Sequence, residues 1–254
     1  MRILDGLIDD FTTELCRAGT PAVVRGGVRA WRAVGGWTPD TLRRRYGHRQ
    51  VTVRSDAGEM EFSLGEYLSL LCDDPDEVEP LPYLRNVFVS EVSPRLMADV
   101  SPLPFAAHDW LRREPLASLV RAVQPEWIDW CELFISPART RFPYVHVDRY
   151  ATHAWCAQVF GAKRYWLWPR CPSLRPIPCA DLDLDALREL GDATVIDLAP
   201  GDVVYIPSGH PHTAESLSVS ITTSGNFVDA SNGEDFLRAL WQGDVRPRLA
   251  GEAP

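Results

Sequence analysis

Two short stretches hold most of the side chains able to do chemistry. Tyr144-Val-His-Val-Asp-Arg-Tyr-Ala-Thr-His153 carries His146 and Asp148 two positions apart, and Ile206-Pro-Ser-Gly-His-Pro-His212 carries His210 and His212. If the first stretch is extended, the side chains of His146 and Asp148 leave the same face, because strand side chains alternate with period two. The second follows Asp202-Val-Val-Tyr-Ile206, a strand-like run that ends in a Pro-Ser-Gly turn. One more imidazole from that turn would give two histidines and a carboxylate with coordination positions left open, the donor set of a non-haem iron facial triad. A single histidine in a strand protein is more often a polar core or surface residue; the joint pattern, in a chain with six histidines, is much more specific. Spacing does not choose between His210 and His212 as the distal donor. His153 lies seven positions beyond His146, faces away from it on a continuous strand, and reads as a site-wall or surface residue.

Lys163 is the next residue of interest. Ala157 to Phe160 turns through Gly161 and climbs back as Lys163-Arg-Tyr-Trp-Leu-Trp168. On residue type alone a solvent-facing lysine at a hairpin end is the commoner case. A buried lysine among aromatic rings is costly without an anionic partner, so the alternative is a point charge for the carboxylate of a ligand.

The elements that must position these residues suit one domain. At 254 residues with 45% hydrophobic and 24% charged side chains, the chain can bury a substantial core. Its net charge of -9 argues against gripping a phosphate backbone, so no nucleic-acid partner is expected. The six cysteines form no Cys-x-x-Cys pair and the N-terminus shows no signal-peptide pattern. Reduced thiols and a cytoplasmic location are therefore expected. No apolar run approaches the roughly 20 residues of a membrane span.

The apolar spacing of Ile3 to Ala18 predicts a helix ended by Gly19. Pro21 to Arg25 and Val51 to Arg54 read as strands, and Thr38 to Tyr46 and Ser63 to Leu71 as capped helices. Cys72 to Pro82 reads as a loop. From Tyr83 to Val89 onward strands dominate, at Trp130 to Ile135, Tyr144 to Asp148, Ala154 to Phe160, Arg164 to Trp168, Thr194 to Leu198, Asp202 to Ile206 and Ser218 to Val228. Helices are expected at Leu116 to Val123, Asp183 to Leu190 and Asp235 to Trp241, with a tail from Arg246 to Pro254. Many short strands with Gly/Pro turns indicate a mainly β sandwich or barrel with flanking helices. Residues 1–82 would support a core of 83–228, and 229–254 would close it.

Taken together, His146-x-Asp148, Gly161-x-Lys163, Pro200-Gly-Asp-Val-Val-Tyr-Ile-Pro207 and Ser220-Ile-Thr-Thr-Ser-Gly-Asn-Phe227 resemble the JmjC (cupin-like) 2-oxoglutarate oxygenases. The block from His146 to Arg164 is similar without gaps to JmjC lysyl hydroxylases, and Pro21 to Trp31 resembles their opening segment. The resemblance implies a double-stranded β-helix, or jelly-roll, with Fe(II) on His146, Asp148 and His212. It implies 2-oxoglutarate as cosubstrate, its far carboxylate meeting Lys163 and Tyr83, with Ser224 and Asn226 at further cosubstrate-contacting positions. With O2 the oxoacid is decarboxylated and an unactivated C–H bond is oxidised.

Three residues depart from the family pattern: His210-Pro211 where two aromatics often precede the distal histidine, Cys156 where asparagine is usual, and Pro143 where a threonine often contacts the cosubstrate. The intact triad and Lys163 imply activity, with altered pocket walls. The resemblance points to hydroxylation of a side chain in a peptide or protein, including a ribosomal peptide natural-product precursor. A small-molecule hydroxylase and a catalytically silent metal-binding cupin are the rival readings. Relatives often dimerise through their C-terminal region, which leaves a homodimer as an open expectation.

Overall fold

Residues Arg2–Asp5 (β1) pair in parallel with Ala22–Arg25 (β2), so the start of the predicted N-terminal helix is a strand. Gly6, at φ +148°, ends it, and the helix proper is confined to Thr12–Ala18. The apolar spacing that suggests a longer helix is overridden by edge pairing, which packs a half-buried Leu4 against the core and leaves Ile3 59% exposed. A computed structural model of the chain describes residues 1–55, 58–73, 83–179 and 190–244. The predicted helix from Asp183 and the tail from Arg246 lie outside the described residues, as does most of the predicted loop after Cys72, whose first two residues end a helix.

Gln50–Ser55 (β3) and Gly58–Ser63 (β4) form a hairpin, of which the sequence reading foresaw only the first strand. Then follow Leu84–Phe88 (β5), Glu132–Ser136 (β6), Tyr144–Val145 (β7), His153–Phe160 (β8), Lys163–Leu167 (β9), Ile177–Pro178 (β10), Thr194–Leu198 (β11), Val203–Ile206 (β12), His212–Ser216 (β13) and Ser220–Phe227 (β14). Seven strands make the major sheet in the order β1-β2-β12-β8-β14-β6-β5, and β11-β9-β13 make the facing one. Bridges from Arg141 to Glu215 and from His146 to His212 run the β7 segment alongside β13, and β7 pairs in turn with β10. This is a cupin-type jelly-roll.

Strand alternation sorts the core into two layers. Ala154, Cys156, Val204 and Ile206 point between the sheets, where Tyr165, Leu167, Leu198 and Ala214 meet them. Trp155, Ala157, Val159, Val203 and Tyr205 point the other way. There the helices Thr12–Ala18, Pro39–Tyr46 and Leu64–Asp73 cover them, bringing Leu15, Leu42, Tyr67 and Leu68. Thr38 caps the second of these reciprocally with Thr41, with Pro39 at the first helical position, as its sequence predicts. A third cluster, including Leu111, Val120, Trp127 and Phe236, docks the helix Gly233–Ala239. The site occupies the space between the two sheets.

Candidate active site

Backbone pairing brings two distant histidines together. The His146 N–H donates to the His212 carbonyl at 3.1 Å and the His212 N–H to the His146 carbonyl at 2.8 Å. Side chains of such an antiparallel pair leave on one face, and the two rings sit 4.3 Å apart. The chain leaves strand geometry after Val145, so Tyr144 to Asp148 is not the continuous strand expected; Asp148 instead starts a short 3-10 turn. Asp148 Oδ2 comes to 3.9 Å from His212 Nε2. Donor atoms of His146, Asp148 and His212 all lie within 4.8 Å of one another, and among the described residues no second cluster of this kind occurs.

The protons on the two rings are placed by what faces them. His146 Nδ1 lies 3.3 Å from the Tyr144 carbonyl and His212 Nδ1 3.1 Å from the His210 carbonyl. A carbonyl only accepts, so each Nδ1 carries its proton and each Nε2 keeps a lone pair for the site. Burial first, and then the neighbouring His212, push the His146 pKa down to about 4. At neutral pH its imidazole is in the neutral form that binds metals. His210 Nδ1 is engaged 3.0 Å from the Trp168 carbonyl, and its ring is not in the cluster. Of the two candidates, geometry brings in His212.

His153 corrects an expectation. It is 3% exposed, and its odd position on β8 turns it to the helix side of the major sheet, against Tyr205 and Phe227. It is neither a surface residue nor a wall of the site.

Deeper between the sheets, Lys163 begins β9 at 3% exposure, which overturns the solvent-facing reading. Its Nζ donates to Tyr83 Oη at 2.8 Å and lies 5.2 Å and 5.9 Å from the ring centres of Tyr83 and Phe134. Among the described residues no carboxylate forms an ion pair with it. A buried ammonium whose partners among the described residues are a phenol and aromatic rings is a charge short of its counter-ion.

Ser224 sits opposite Cys156 in the register of β14 and β8. The Ser224 hydroxyl donates to the Trp155 carbonyl at 3.0 Å, so the Cys156 thiol, 3.4 Å away, donates to Ser224. Tyr165 packs against Cys156 between the sheets. Burial pushes the Cys156 pKa up to about 11, keeping it a thiol. Asn226 faces the same side as Ser224, but its Nδ2 is spent on Thr152 Oγ1 at 2.7 Å. Thr152 in turn donates to the Arg149 carbonyl at 2.9 Å, bracing the turn after Asp148.

Sequence reasoning missed Phe134, Phe142 and Tyr165. Phe142 stacks on His146 with ring centres 4.8 Å apart, and Tyr83 meets both phenylalanines edge-on. Only Tyr165 had a readable signal, two positions after Lys163 and thus on the same strand face.

The family described as cupin-like domain matches residues 9–232. The chain belongs to the JmjC-like cupin family. Among curated relatives, this cupin-like chain is 25% identical over 247 residues to a lysine-specific demethylase, JMJ21, of Arabidopsis thaliana, covering 89% of this chain and 25% of that protein. It is 25% identical to the arginine-specific demethylase JMJ22 of the same plant, over 96% of this chain and 49% of the relative. For the arginine-specific demethylase JMJ20 the identity is 21%, over 92% and 57% respectively. The cupin-like chain thus spans a quarter to just over half of each relative. Its donor set, two imidazoles and a carboxylate, suits a borderline divalent metal such as Fe(II). Lys163 with Tyr83 suits a carboxylate.

Proposed function

We propose that this protein is an Fe(II)- and 2-oxoglutarate-dependent oxygenase that hydroxylates an unactivated C–H bond on a side chain of a peptide or protein. The observation that carries the reading is Lys163, a buried cation without a carboxylate partner among the described residues, placed between the same two sheets as a two-histidine, one-carboxylate cluster. An oxoacid with a second carboxylate satisfies both features at once. Bound Fe(II) with 2-oxoglutarate would supply the oxidation, coupling O2 and loss of CO2 to hydroxylation.

The chain's own contributions are placement and exclusion of water. His146 and His212 offer Nε2 and Asp148 offers carboxylate oxygen, while the carbonyls of Tyr144 and His210 hold the rings in orientation. Lys163 and Tyr83 would anchor the far carboxylate. The Tyr165–Cys156–Ser224 line forms the adjoining wall, and Phe134 and Phe142 keep the interior dry.

The relatives' names, demethylases of lysine and arginine, support a protein side chain over a free metabolite. The six free cysteines fit a reducing, cytoplasmic setting.

The test is anaerobic titration of 2-oxoglutarate into Fe(II)-loaded protein, followed by succinate release with peptide or metabolite panels. A visible charge-transfer band and peptide-stimulated succinate are the expected results. Metabolite-only stimulation would move the substrate to a small molecule, and bound iron without a band would indicate a silent cupin.

A further inference from the structure

Behind the site, a single loop after β14 holds both turns that carry its donors. His153 Nδ1 accepts the Ser208 N–H at 2.9 Å, which places the ring proton on Nε2. That N–H faces Ser231 Oγ at 2.9 Å and Asp229 Oδ1 at 3.4 Å. Ser231 itself donates to Asp229 from both its amide and its hydroxyl, at 2.7 and 2.6 Å. Burial acts to raise the Asp229 pKa, yet hydrogen bonds from His153, Ser231 and Cys16 hold the carboxyl well below its usual range. Both ring nitrogens of a buried imidazole are therefore committed, one to the loop and one to a backbone amide.

That amide belongs to the turn Pro207-Ser208-Gly209-His210. The turn closes with His210 N–H on the Pro207 carbonyl, passes through Gly209 at φ +77°, and is tied from outside by Cys171 N–H on the Gly209 carbonyl at 2.7 Å. Its last carbonyl, that of His210, accepts the His212 Nδ1–H. His153 thus grips one end of a turn whose other end orients the His212 ring. On the opposite side, Asn232 Nδ2 donates to the Ala151 carbonyl at 2.8 Å. It steadies the stretch just after Asp148, where Tyr150 and Ala151 hold φ of 57° and 52°. Non-glycine residues stay in that region only when their surroundings dictate it.

We propose that His153, seated on Asp229 and Ser231, is a positioning residue for the metal centre: through the Ser208 amide it fixes the 207–210 turn and so aims His212 Nε2. The inference rests on the metal-binding reading of His146, Asp148 and His212. A plain packing role would require only a polar group of similar size at position 153. A positioning role requires an acceptor where Nδ1 stands.

Two variants separate these. His153→Asn places its amide near the Nδ1 position and can still accept from Ser208; His153→Gln places it near the Nε2 position and cannot. Mn(II) affinity of the full chain, read from the electron paramagnetic resonance of free Mn(II), should stay within about threefold of wild type for Asn. For Gln it should weaken by about 10- to 100-fold, the usual effect of losing an outer-shell partner. Thermal unfolding in chelator reports folding of both without metal. Equal affinities in the two variants, whether both kept or both lost, would overturn the inference. A readout on wild-type protein needs no variant to fold: coupling is reciprocal, so Mn(II) must slow hydrogen exchange at the Ser208 amide by a factor similar to the affinity loss. Unchanged exchange there would also overturn it. If wild-type protein binds no Mn(II), the metal reading fails and this inference with it, whereas binding without these differences sinks the inference alone.

Discussion

Replacing Lys163 by Met should move stability and cosubstrate binding in opposite directions. Lys163 is 3% exposed, with a Tyr83 hydroxyl at 2.8 Å and two ring faces beyond 5 Å as its partners. Burying an ammonium costs several kcal/mol after relaxation. One charged hydrogen bond returns about 1.5–3 kcal/mol and the Phe134 ring about 1 kcal/mol. The sum leaves the cosubstrate-free protein roughly 1–2 kcal/mol short of an apolar isostere, in line with the gains found when buried charges are replaced by apolar side chains. Lys163→Met, which fills a similar volume, should therefore raise the unfolding midpoint without ligand by a few degrees, about 2–4 °C per kcal/mol. In the bound state the sign reverses. Loss of one member of a buried charge pair costs about 2–5 kcal/mol, a weakening of about 30- to 5,000-fold in 2-oxoglutarate Kd. Thermal unfolding with and without 2-oxoglutarate measures both quantities together, since ligand stabilisation follows RT ln(1 + [L]/Kd). A variant that melts lower than wild type without ligand, yet keeps its 2-oxoglutarate shift, would refute the reasoning on both counts.

Three further outcomes are expected. His212→Ala should abolish Co(II) binding, followed by visible absorption, while His210→Ala retains it within about threefold, since the carbonyl that orients His212 is backbone; equal losses would sink the choice of distal donor. Gly161→Ala should cost about 1–3 kcal/mol, because Gly161 holds φ +68° and an added Cβ would stand 2.1 Å from the Val219 carbonyl oxygen; an unchanged melting midpoint would contradict this. Burial pushes the Asp109 pKa up to about 7, against opposing hydrogen bonds from the Leu111 and Val228 amides. The folded state then keeps a proton that the unfolded chain releases near pH 4. Stability contributed by this group should fall as pH rises from about 4 to about 7 and level off above that. Asp109→Asn, which can still accept from Leu111, should remove this decline, and parallel stability curves for the two proteins would show that Asp109 ionises normally.

Much of the architecture was legible because the strands from residue 154 onward are short, apolar and separated by glycine or proline. Gly161 and Gly201, both at positive φ, mark turns that no other residue makes as easily. The grouping of His146 with Asp148 was legible from their residue types and close spacing, although the continuous strand that this spacing suggested ends before Asp148. What local pattern could not show is which elements pair across the fold. The strand at β1 reads as helix because its apolar spacing fits both periods, and only β2 decides. The strand β13 went unseen because His212-Thr-Ala-Glu-Ser216 has little apolar content; β9 supplies its partner. The choice between His210 and His212 likewise depends on the backbone bridge to His146. Phe134 and Phe142 join the site from segments with no local mark of chemistry.

The departure from strand geometry at Val145 follows from the chemistry required. A continuous strand would put His146 and Asp148 on one face, as their spacing suggests, but about 6.6 Å apart along the chain. Donors sharing one ion, each about 2 Å from it, must bring their side-chain tips together across that backbone spacing. The chain meets both demands by keeping the backbone bridge at His146 and then folding into a turn. Asp148, in extended backbone at the N-cap of that turn, comes to 3.9 Å from His212. The turn is held in a costly conformation at Tyr150 and Ala151, and the side chains that brace it, Thr152, Asn226 and Asn232, come from three separate places in the fold. Regular secondary structure builds the walls, and irregular backbone, overdetermined by polar side chains, brings the donors together. The residues most consequential for metal binding beyond the donors themselves are then those that hold the two turns, and the loop after β14 reaches both, one directly through Asn232 and the other through His153 on β8.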